Sequence, residues 1–323
     1  MMSRGLKNVA QTIKNSNNFL ITSHINTEGD ALGSQLAMAD ILKNMGKRYI
    51  IFDNDPVPAS LEFLCGKKAV KTKLSGSDKF DVVLSVDCPV VARTGKVADC
   101  FKKAKRIINI DHHISNSGFG DSIWVEPKMS SCGEMLYYMY KHLKIPISRK
   151  AASYMYVAIA TDTGFFKYEN TTSGTHHIVS CLIKTGIKPL LISNQLNEKK
   201  SINALRLLSE TLKTMEMHFN NKVALLYTSS AMLRRFNLNP DSTDGFVNYA
   251  RSVDTSRIAI FLLERPDDMG RVHVSFRSKG DVDVNKVASL FKGGGHPNAS
   301  GCLIKGGIKE ARRMLLNKVK AFV

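Results

Sequence analysis

Short apolar runs separated by longer amphipathic stretches form the pattern of the first half of the chain. Each run is rich in β-branched residues and is followed by polar residues, which predicts a buried strand. Leu32, Leu36 and Leu42 recur at about helical spacing after the first run and predict a helix. Strands that alternate with helices predict an α/β fold with a mostly parallel sheet flanked by helices. The predicted strands are Asn18–Thr22, Tyr49–Phe52, Phe80–Val86 and Arg106–Ile110.

The pattern changes at Asn197–Ser201, where the polar stretch NEKKS follows several predicted helices. A helix over Ile202–Thr214 then leads into a second, smaller α/β unit that ends in a basic helix at Ile308–Ala321. We therefore expect two domains joined by a linker helix. Their predicted ranges are 1–195, 196–213 for the linker, and 214–323. The other predicted elements are helices at Lys150–Ala160, Thr171–Lys184 and Pro189–Asn197 and strands at Val223–Tyr227, Ile258–Leu263 and Val272–Phe276.

The composition adds an expectation about partners. With 323 residues, of which 43% are hydrophobic, the chain is long enough for two hydrophobic cores. A formal net charge of +18 favours polyanionic partners such as nucleic acids, nucleotides or an anionic surface. A lysine-rich, solubilising surface is the alternative explanation. The charge therefore favours an acidic substrate over a neutral one without identifying it.

Cysteine usage and hydropathy bear on the compartment. The six cysteines are scattered and form no CxxC pair, which argues against a disulfide framework or a zinc ribbon. No apolar run reaches the length needed to span a bilayer. The polar N-terminal stretch lacks the apolar core of a secretory signal. We therefore expect a cytoplasmic protein that does not bind the membrane.

The sequence NIDHHISN places Asp111, His112 and His113 directly after a predicted strand. An acid and two imidazoles at the end of a buried strand are costly unless a metal, a proton partner or an anion compensates them. A polar turn with one histidine bonded to the backbone is the alternative for this motif taken alone. Residues elsewhere in the chain have to decide between these two interpretations.

Two other predicted strands are also followed by acidic or histidine residues. His24, Glu28 and Asp30 lie in the loop after the first strand, where Asp30 is also placed to cap the next helix. Asp87 follows the third strand. Because ligands of parallel sheets bind beyond the carboxyl ends of the strands, we expect these side chains to converge. Asp162, in a turn after the Lys150–Ala160 helix, is a further candidate.

These residue types together predict a metal centre. Clustered carboxylates repel one another strongly without cations between them. Mixed carboxylate and imidazole ligands suit Mn²⁺ or its relatives Fe²⁺ and Co²⁺, whereas zinc favours thiolate or more histidine and Mg²⁺ favours all-oxygen ligands. The expected cofactors are two Mn²⁺ ions, with Mg²⁺ or Co²⁺ as substitutes. Six side chains are too many for one open catalytic ion and suit two ions with a bridging carboxylate. The candidate metal ligands are His24, Glu28, Asp30, Asp87, His112 and Asp162.

Two adjacent divalent ions are typical of phosphoester hydrolysis. They bind phosphoryl oxygens, lower the pKa of a bridging water to give hydroxide near neutral pH, and stabilise charge on the leaving oxygen. Asp87 is the natural bridging ligand because it stands alone at its strand end. His113 is then expected to contact the scissile phosphate or the leaving group.

The second unit contains a glycine-rich stretch, GGGHPNASG, that can bind the substrate. Such a stretch lets backbone N–H groups approach a phosphate or a base closely. Arg277 and Ser278, after the strand RVHVSF, can add charge-assisted bonds to phosphate. A tight turn between a strand and a helix is the alternative. The candidate substrate-binding residues are Arg277, Ser278, Gly294, Gly295, His296 and Asn298.

The motifs SHINTEGDALGSQ, VDCPVVARTG, NIDHHISN, ATDTG, RSKG and GGGHPNASG occur in this order and together resemble the DHH–DHHA1 phosphoesterase family. The resemblance runs from about residue 18 to residue 305 and implies a DHH domain followed by a smaller α/β DHHA1 domain. Within the family, the chain looks most like the stand-alone oligoribonuclease (nanoRNase) and 3′-phosphoadenosine-5′-phosphate phosphatase branch. That branch implies hydrolysis of short RNA oligonucleotides to 5′-mononucleotides, dephosphorylation of that nucleotide, and a homodimer.

The resemblance also implies roles for individual residues. Asp111 would orient the residues behind the metal ligands, and His113 would meet the substrate. Arg277 and the loop around His296 would resemble the family's phosphate clamp, with the active site in the cleft between the domains. One ion would be held by His24, Glu28 and Asp87, and the other by Asp30, Asp87, His112 and Asp162.

Glu28 departs from the family pattern, which usually has aspartate at this position. Glutamate is one methylene longer, so its carboxylate reaches a different point or requires a different rotamer. We expect Glu28 to coordinate still, because glutamate is an adequate oxygen ligand for Mn²⁺. Two alternatives stay open: a phosphodiesterase acting on cyclic or linear dinucleotides, and a non-catalytic nucleotide-binding protein, which the departure at Glu28 favours.

Overall fold

The computed structural model describes residues 3–75 and 78–323. The chain folds as two compact units, Met1–Lys199 and Lys200–Val323. Each unit has its own hydrophobic core. The helix proposed as a linker extends over Ile202–Lys213 and lies in the second unit. The predicted domain ranges stay a prediction.

The first unit begins with a helix and then alternates strands and helices. Its strands are Asn18–Thr22 (β1), Arg48–Ile51 (β2), Val82–Val86 (β3), Arg106–Asp111 (β4) and Ser122–Val125 (β5). Its α-helices are Arg4–Lys14 (α1), Gly29–Asn44 (α2), Glu62–Cys65 (α3), Ala98–Phe101 (α4), Cys132–Leu143 (α5), Arg149–Asp162 (α6), Ser173–Ile183 (α7) and Pro189–Asn197 (α8). Segments of 3-10 helix at Ala59–Leu61 and Val91–Val97 precede α3 and α4.

The strands of the first unit form a parallel sheet in the order β2-β1-β3-β4-β5. The predicted α/β fold with a mostly parallel sheet is therefore confirmed. β5 lies outside the predicted strands because the apolar run within its sequence SIWV, IWV, is too short to be distinguished from a loop. The strand order reverses between β1 and β3, which is the point where ligands bind in doubly wound sheets.

β1 contributes alternate side chains to two hydrophobic clusters. Phe19 and Ile21 belong to one cluster, which includes residues of α2 and α6. Leu20 belongs to the other, together with Val83 and Phe101. Because successive side chains of a strand point to opposite faces, these clusters cover the two faces of the sheet. Burial on both faces explains why the sequences of these strands are nearly continuous apolar runs.

The start of α2 differs from the prediction. Glu28 is the N-cap residue and makes no side-chain hydrogen bond to the helix. Asp30 lies inside the first turn, so the prediction that it caps α2 is wrong. The carboxylate of Asp30 instead reaches the N-terminus of α5, where the backbone N–H groups of Cys132 and Gly133 donate to it.

The second unit is a mixed α/β structure. Its strands are Glu216–His218 (β6), Val223–Thr228 (β7), Ile258–Glu264 (β8), Arg271–Ser278 (β9), Gly294–His296 (β10) and Ala299–Lys305 (β11). Its α-helices are Ile202–Lys213 (α9), Ser230–Arg235 (α10), Val247–Ser252 (α11), Val284–Ser289 (α12) and Ile308–Val319 (α13). The sheet order is β10-β11-β9-β8-β7-β6, and β7 and β8 pair in parallel within an otherwise antiparallel set of pairs.

The two faces of this second sheet are also both covered. Leu225 and Ile260 belong to one hydrophobic cluster, whereas Leu226 and Phe261 belong to another. The glycine-rich stretch is not a turn between a strand and a helix; it forms the β10–β11 hairpin at the edge of the sheet. Among the residues that the structure describes, no helix is both long and apolar enough to cross a membrane.

Candidate active site

The carboxyl edge of the first sheet carries the side chains that the sequence singles out. Asp111 is the last residue of β4, and His112 and His113 follow it. Asp87 directly follows β3 with φ +53°, a left-handed conformation that aspartate tolerates better than most residues. His24 lies two residues after the end of β1. The parallel order of the strands therefore brings these side chains to one edge.

One group of carboxylates surrounds His112. Its Nε2 lies 3.5 Å from Asp162 Oδ2, 3.6 Å from Asp87 Oδ1 and 3.7 Å from Asp30 Oδ2. All four side chains are at most 15% exposed. Asp162 reaches this group from the last residue of α6 rather than from a strand end.

A second group surrounds His24. Its Nε2 lies 3.5 Å from Asp87 Oδ2 and 3.7 Å from Glu28 Oε1. Asp87 therefore belongs to both groups, with Oδ1 towards His112 and Oδ2 towards His24. Glu28 differs from the other side chains of the two groups because it is 66% exposed. Its carboxylate lies at the rim of the cluster and remains in contact with water.

The backbone determines which ring nitrogen each of these histidines presents to the carboxylates. His24 Nδ1 lies 2.7 Å from the carbonyl of Ile25, and His112 Nδ1 lies 3.1 Å from the carbonyl of Met129. A carbonyl only accepts, so each Nδ1 carries a hydrogen, and in the neutral ring Nε2 holds the lone pair. Both Nε2 atoms face carboxylates, which is the arrangement of metal-ligating histidines with an outer hydrogen-bond partner.

Asp111 lies against His113 rather than His112. His113 Nδ1 donates to Asp111 Oδ1 at 2.7 Å, and Asn116 Nδ2 donates to Asp111 Oδ2. Asn116 Nδ2 also lies 2.9 Å from Asn109 Oδ1. Asp111 is 0% exposed, so these bonds are made out of contact with water. The carboxylate therefore holds the His113 ring in one orientation.

The N-terminus of α5 holds Asp30. Cys132 N and Gly133 N donate to its two carboxylate oxygens at 2.7 and 2.9 Å, and Ser34 Oγ donates at 2.9 Å. The positive end of the helix dipole stabilises a negative carboxylate there. Asp162 has a weaker tie, a 3.5 Å contact from Asn170 Nδ2. These bonds orient the carboxylates before any cation binds.

The pKa values show how the cluster keeps its charges together in the absence of a cation. Burial lowers the pKa of His24, but the Asp87 carboxylate outweighs it, and the pKa rises from 6.5 to about 9. Burial likewise lowers the pKa of His112, and the surrounding carboxylates, Asp162 first, raise it to about 9. Protonated imidazoles thus provide the positive charge that the carboxylates require.

The carboxylates themselves divide into two kinds. Burial, with the charge of Asp87 added to it, raises the pKa of Asp30 and brings that of Asp162 to about 7. Burial acts in the same direction on Asp87, but the nearby histidines overcome it and lower its pKa. Asp87 is therefore the carboxylate that ionises most readily, whereas Asp30 and Asp162 retain a proton to higher pH.

Asp53 is a buried acid that the sequence analysis did not single out. It is 2% exposed and accepts hydrogen bonds from Thr22 Oγ1, Ser23 N and Gln35 Nε2. Burial raises its pKa despite these bonds. Asp53 lies two residues after the end of β2, so its place at a strand end is the signal that could have identified it. Its hydrogen bonds connect Thr22 and Ser23, which immediately precede His24, to Gln35 of α2.

In the second unit, the predicted substrate-binding residues are partly engaged in bonds of their own. Arg277 Nη1 donates to the Phe276 carbonyl at 2.9 Å, and its buried Nε makes no hydrogen bond to the part of the chain that is described. Ser278 is buried and bonds Asn298 Oδ1 at 3.0 Å through its hydroxyl. That bond ties the end of β9 to the turn of the β10–β11 hairpin.

The glycines and the histidine of that hairpin lie on its edge strand. Gly295 has φ +148°, and a Cβ there would lie 2.5 Å from the Ala299 carbonyl, so a larger residue would not fit. At Gly294 a Cβ would have its nearest contact at 3.7 Å, which leaves this backbone approachable. His296 is half-buried at the end of β10.

Comparisons with known proteins agree with this architecture. Residues 18–159 match the model of the DHH family, N-terminal domain, and residues 220–323 match the DHHA1 domain. A Bacillus subtilis (strain 168) protein named bifunctional oligoribonuclease and PAP phosphatase NrnA is 28% identical over 297 residues, 91% of each chain. A Thermus thermophilus protein of the same name is 29% identical over 303 residues, 93% of this chain and 88% of that one.

A solved structure supports the fold. The crystal structure of an exopolyphosphatase-related protein from Bacteroides fragilis superposes with a TM-score of 0.90 at 24% identity. The superposition covers 99% of this chain and 98% of the Bacteroides fragilis chain. At this level of identity the likeness bears on the fold alone.

Proposed function

The chain belongs to the DHH family of phosphoesterases, and we propose that it hydrolyses short RNA oligonucleotides to 5′-mononucleotides and dephosphorylates 3′-phosphoadenosine-5′-phosphate. The names of the Bacillus subtilis and Thermus thermophilus relatives support both substrates. The observation that carries the proposal is the position of Asp87, whose two carboxylate oxygens face His112 and His24 separately.

We propose that two Mn²⁺ ions are the cofactors, with Mg²⁺ or Co²⁺ as substitutes. The residues fit such ions, because both imidazoles direct Nε2 towards buried carboxylates, and the positive charge that protonated imidazoles supply without metal would come from the ions. His24, Glu28 and Asp87 would hold one ion. Asp30, Asp87, His112 and Asp162 would hold the other. When bound, a pair of divalent ions supplies a nucleophile at neutral pH and neutralises charge on phosphoryl oxygens.

The chain's own residues have separate tasks in this proposal. Asp111 holds the His113 ring in one orientation through the 2.7 Å bond to Nδ1. His113 then contacts the scissile phosphate or the leaving oxygen and donates a proton as the bond breaks. The α5 N-terminus keeps the Asp30 carboxylate in place. Pre-orientation of these groups lowers the reorganisation that hydrolysis would otherwise require.

The second unit is proposed to bind the part of the substrate that does not react. The guanidinium of Arg277 is suited to a phosphate, because it can donate two parallel hydrogen bonds. The approachable backbone at Gly294 and the imidazole of His296 lie at the same edge of the second sheet. Ser278 and Asn298 support this edge through their mutual hydrogen bond.

Hydrolysis assays test the proposal. The purified protein with Mn²⁺ should release mononucleotides from RNA dimers to pentamers and phosphate from 3′-phosphoadenosine-5′-phosphate, and an Asp87→Asn variant should do neither. Release of no mononucleotide, together with full activity on a cyclic dinucleotide, would assign the protein to the cyclic-dinucleotide phosphodiesterases instead. The homodimer and the cytoplasmic location stay predictions, which light scattering and cell fractionation test.

A further inference from the structure

Arg93 belongs to the segment between β3 and α4 and lies beside the candidate metal cluster without being part of it. It sits in the 3-10 segment Val91–Val97. Its backbone carbonyl accepts a hydrogen bond of 2.7 Å from the N–H of Ile25, the residue after His24. Arg93 is therefore tied to the loop that carries the ligands of the first proposed ion.

The segment around Arg93 is held firmly against that loop. Thr94 is buried, and its hydroxyl donates to the Val91 carbonyl at 2.7 Å. Gly95 has φ +61°, and a Cβ there would lie 2.6 Å from Asn54 Oδ1 and 2.9 Å from Ile25 Cγ2. Lys96 N also donates to Asn54 Oδ1 at 3.2 Å. The backbone at Arg93 and in the residues that follow it is therefore held in place by these contacts.

Within the described chain, the guanidinium of Arg93 has no acidic partner. Among the described residues, no hydrogen bond or ion pair joins its side chain to another group, although the residue is half-buried. The backbone on both sides of this guanidinium lies against Ile25, the residue after His24, through the 2.7 Å bond to the Arg93 carbonyl and the close approach of Gly95.

A half-buried cation that no described acid compensates is unfavourable for the protein alone. Close to the loop that carries His24, it also repels any metal ion that His24 would bind. An anion bound at the same place would be attracted to the guanidinium and to the ions at once. Arginine is especially suited to phosphate, since its planar fork donates two parallel hydrogen bonds.

We propose that Arg93 forms a second phosphate subsite, which binds the phosphate adjacent to the scissile one in a short oligonucleotide. The inference rests on the proposed function for the nature of the ligand. The backbone bond from Ile25 ties Arg93 to the loop of His24, on the side of the cluster proposed to hold the first ion. The subsite would therefore favour substrates that carry a second phosphate.

Matched dinucleotides test the subsite. The substrates are one RNA dinucleotide without terminal phosphates and the same dinucleotide with a 5′-phosphate or a 3′-phosphate. The wild-type protein with Mn²⁺ should have a lower KM for one of the two phosphorylated forms. Arg93→Gln should raise the KM for that form about tenfold and leave the KM for the unphosphorylated dinucleotide nearly unchanged. Arg93→Lys keeps the charge but cannot donate two parallel hydrogen bonds from one planar group. Its KM for the phosphorylated form should therefore lie between those of the wild type and Arg93→Gln.

Arg106→Gln is the matched control, because Arg106 is an exposed residue at the start of β4, the opposite end of the sheet from the cluster. It should retain wild-type KM values for all three dinucleotides. Equal thermal melting of the variants excludes a folding defect as the cause of a change. An Arg93→Gln protein with the wild-type preference for phosphorylated substrates, or with an equal loss of kcat on all three, would overturn the subsite.

Calorimetric binding of the same dinucleotides, with Ca²⁺ replacing Mn²⁺ to suppress turnover, separates this inference from the proposed function. If the wild-type protein hydrolyses none of them, but Arg93→Gln weakens binding of one phosphorylated form about tenfold, the activity is wrong and the subsite stands. If hydrolysis occurs and Arg93→Gln binds all three as the wild type does, the activity stands and the subsite is wrong.

Discussion

The Nδ1 atom of His113 donates a hydrogen bond of 2.7 Å to Oδ1 of Asp111, which is completely buried at the end of β4. Asp111→Asn replaces the carboxylate acceptor by an amide and weakens the bond that holds the His113 ring in one orientation. We predict a fall in kcat of about 10²–10⁴, the contribution typical of general acid–base catalysis, with little change in metal affinity. Steady-state kinetics on an RNA dinucleotide and calorimetric titration with Mn²⁺ measure the two quantities.

Asp99→Asn provides the control for that change, since Asp99 is an exposed acid in α4. It should leave kcat and Mn²⁺ affinity unchanged. If Asp111→Asn instead lowered Mn²⁺ affinity and left kcat intact at saturating metal, Asp111 would act through the metal ligands rather than through His113.

Asp87 occupies the centre of the proposed metal pair, so its removal should affect both ions. Asp87→Asn keeps the volume and tolerates the left-handed φ of +53°, which Ala tolerates less well. We predict loss of hydrolysis below detection and loss of the second Mn²⁺ from the binding stoichiometry. Survival of both Mn²⁺ binding and hydrolysis in this variant would show that the two-metal assignment is wrong.

The exposure of Glu28 predicts a smaller contribution than that of the buried ligands. Its carboxylate is 66% exposed, and solvent screens its attraction for a cation. Glu28→Gln should weaken Mn²⁺ binding by about tenfold or less, whereas Asp30→Asn, at a position 1% exposed, should weaken it far more. Competition of each variant with a metal-sensitive dye measures this order. The reverse order would place Glu28 at the centre of the first ion's site.

The raised pKa values predict how the stability of the metal-free protein depends on pH. His24 and His112 have a pKa of about 9 in the folded chain, against about 6.5 when unfolded. The folded state therefore holds more protons between these values, and its stability is greatest below about pH 6.5 and falls as the pH rises towards 9. Asp162 has a raised pKa of about 7, so its contribution to stability also falls as the pH rises, but at lower pH than that of the histidines.

Thermal melting from pH 6 to pH 9.5 checks this dependence in the presence of a chelator. Saturating Mn²⁺ should reduce the fall, because metal ligands bind in their deprotonated forms and metal affinity rises with pH. A His112→Gln variant should show a smaller fall than the wild type without metal. A melting temperature that rises through this range in the metal-free protein would contradict the assigned protonation of the two histidines.

Arg277 is predicted to contribute to substrate binding rather than to the chemical step. Arg277→Ala should raise the KM for a short RNA substrate with little change in kcat, because it removes a contact to a phosphate remote from the scissile bond. Arg271→Ala is the control at an exposed position on the same strand. A lost kcat with an unchanged KM would place Arg277 at the transition state instead.

Much of the architecture follows from local patterns in the sequence. Buried parallel strands read as apolar runs, and the polar residues at their ends must lie at one edge of a parallel sheet. The positions of His24, Asp87 and Asp111 at that edge could therefore be predicted without coordinates. Strands such as β5, whose sequence is SIWV, and β10, whose sequence is GGH, could not, because an apolar run that is very short or absent cannot be distinguished from a loop.

The sequence by itself determined which residue types meet at the carboxyl edge, because chain order and strand direction bring them there. Only the tertiary structure decided which atoms face each other. Asp87 divides its two oxygens between His24 and His112, and Asp111 lies against His113. Asp30 reaches α5 instead of capping its own helix. These pairings depend on rotamers and, for Asp30, on a contact with a residue 102 positions away in the chain, which no local pattern of residues encodes.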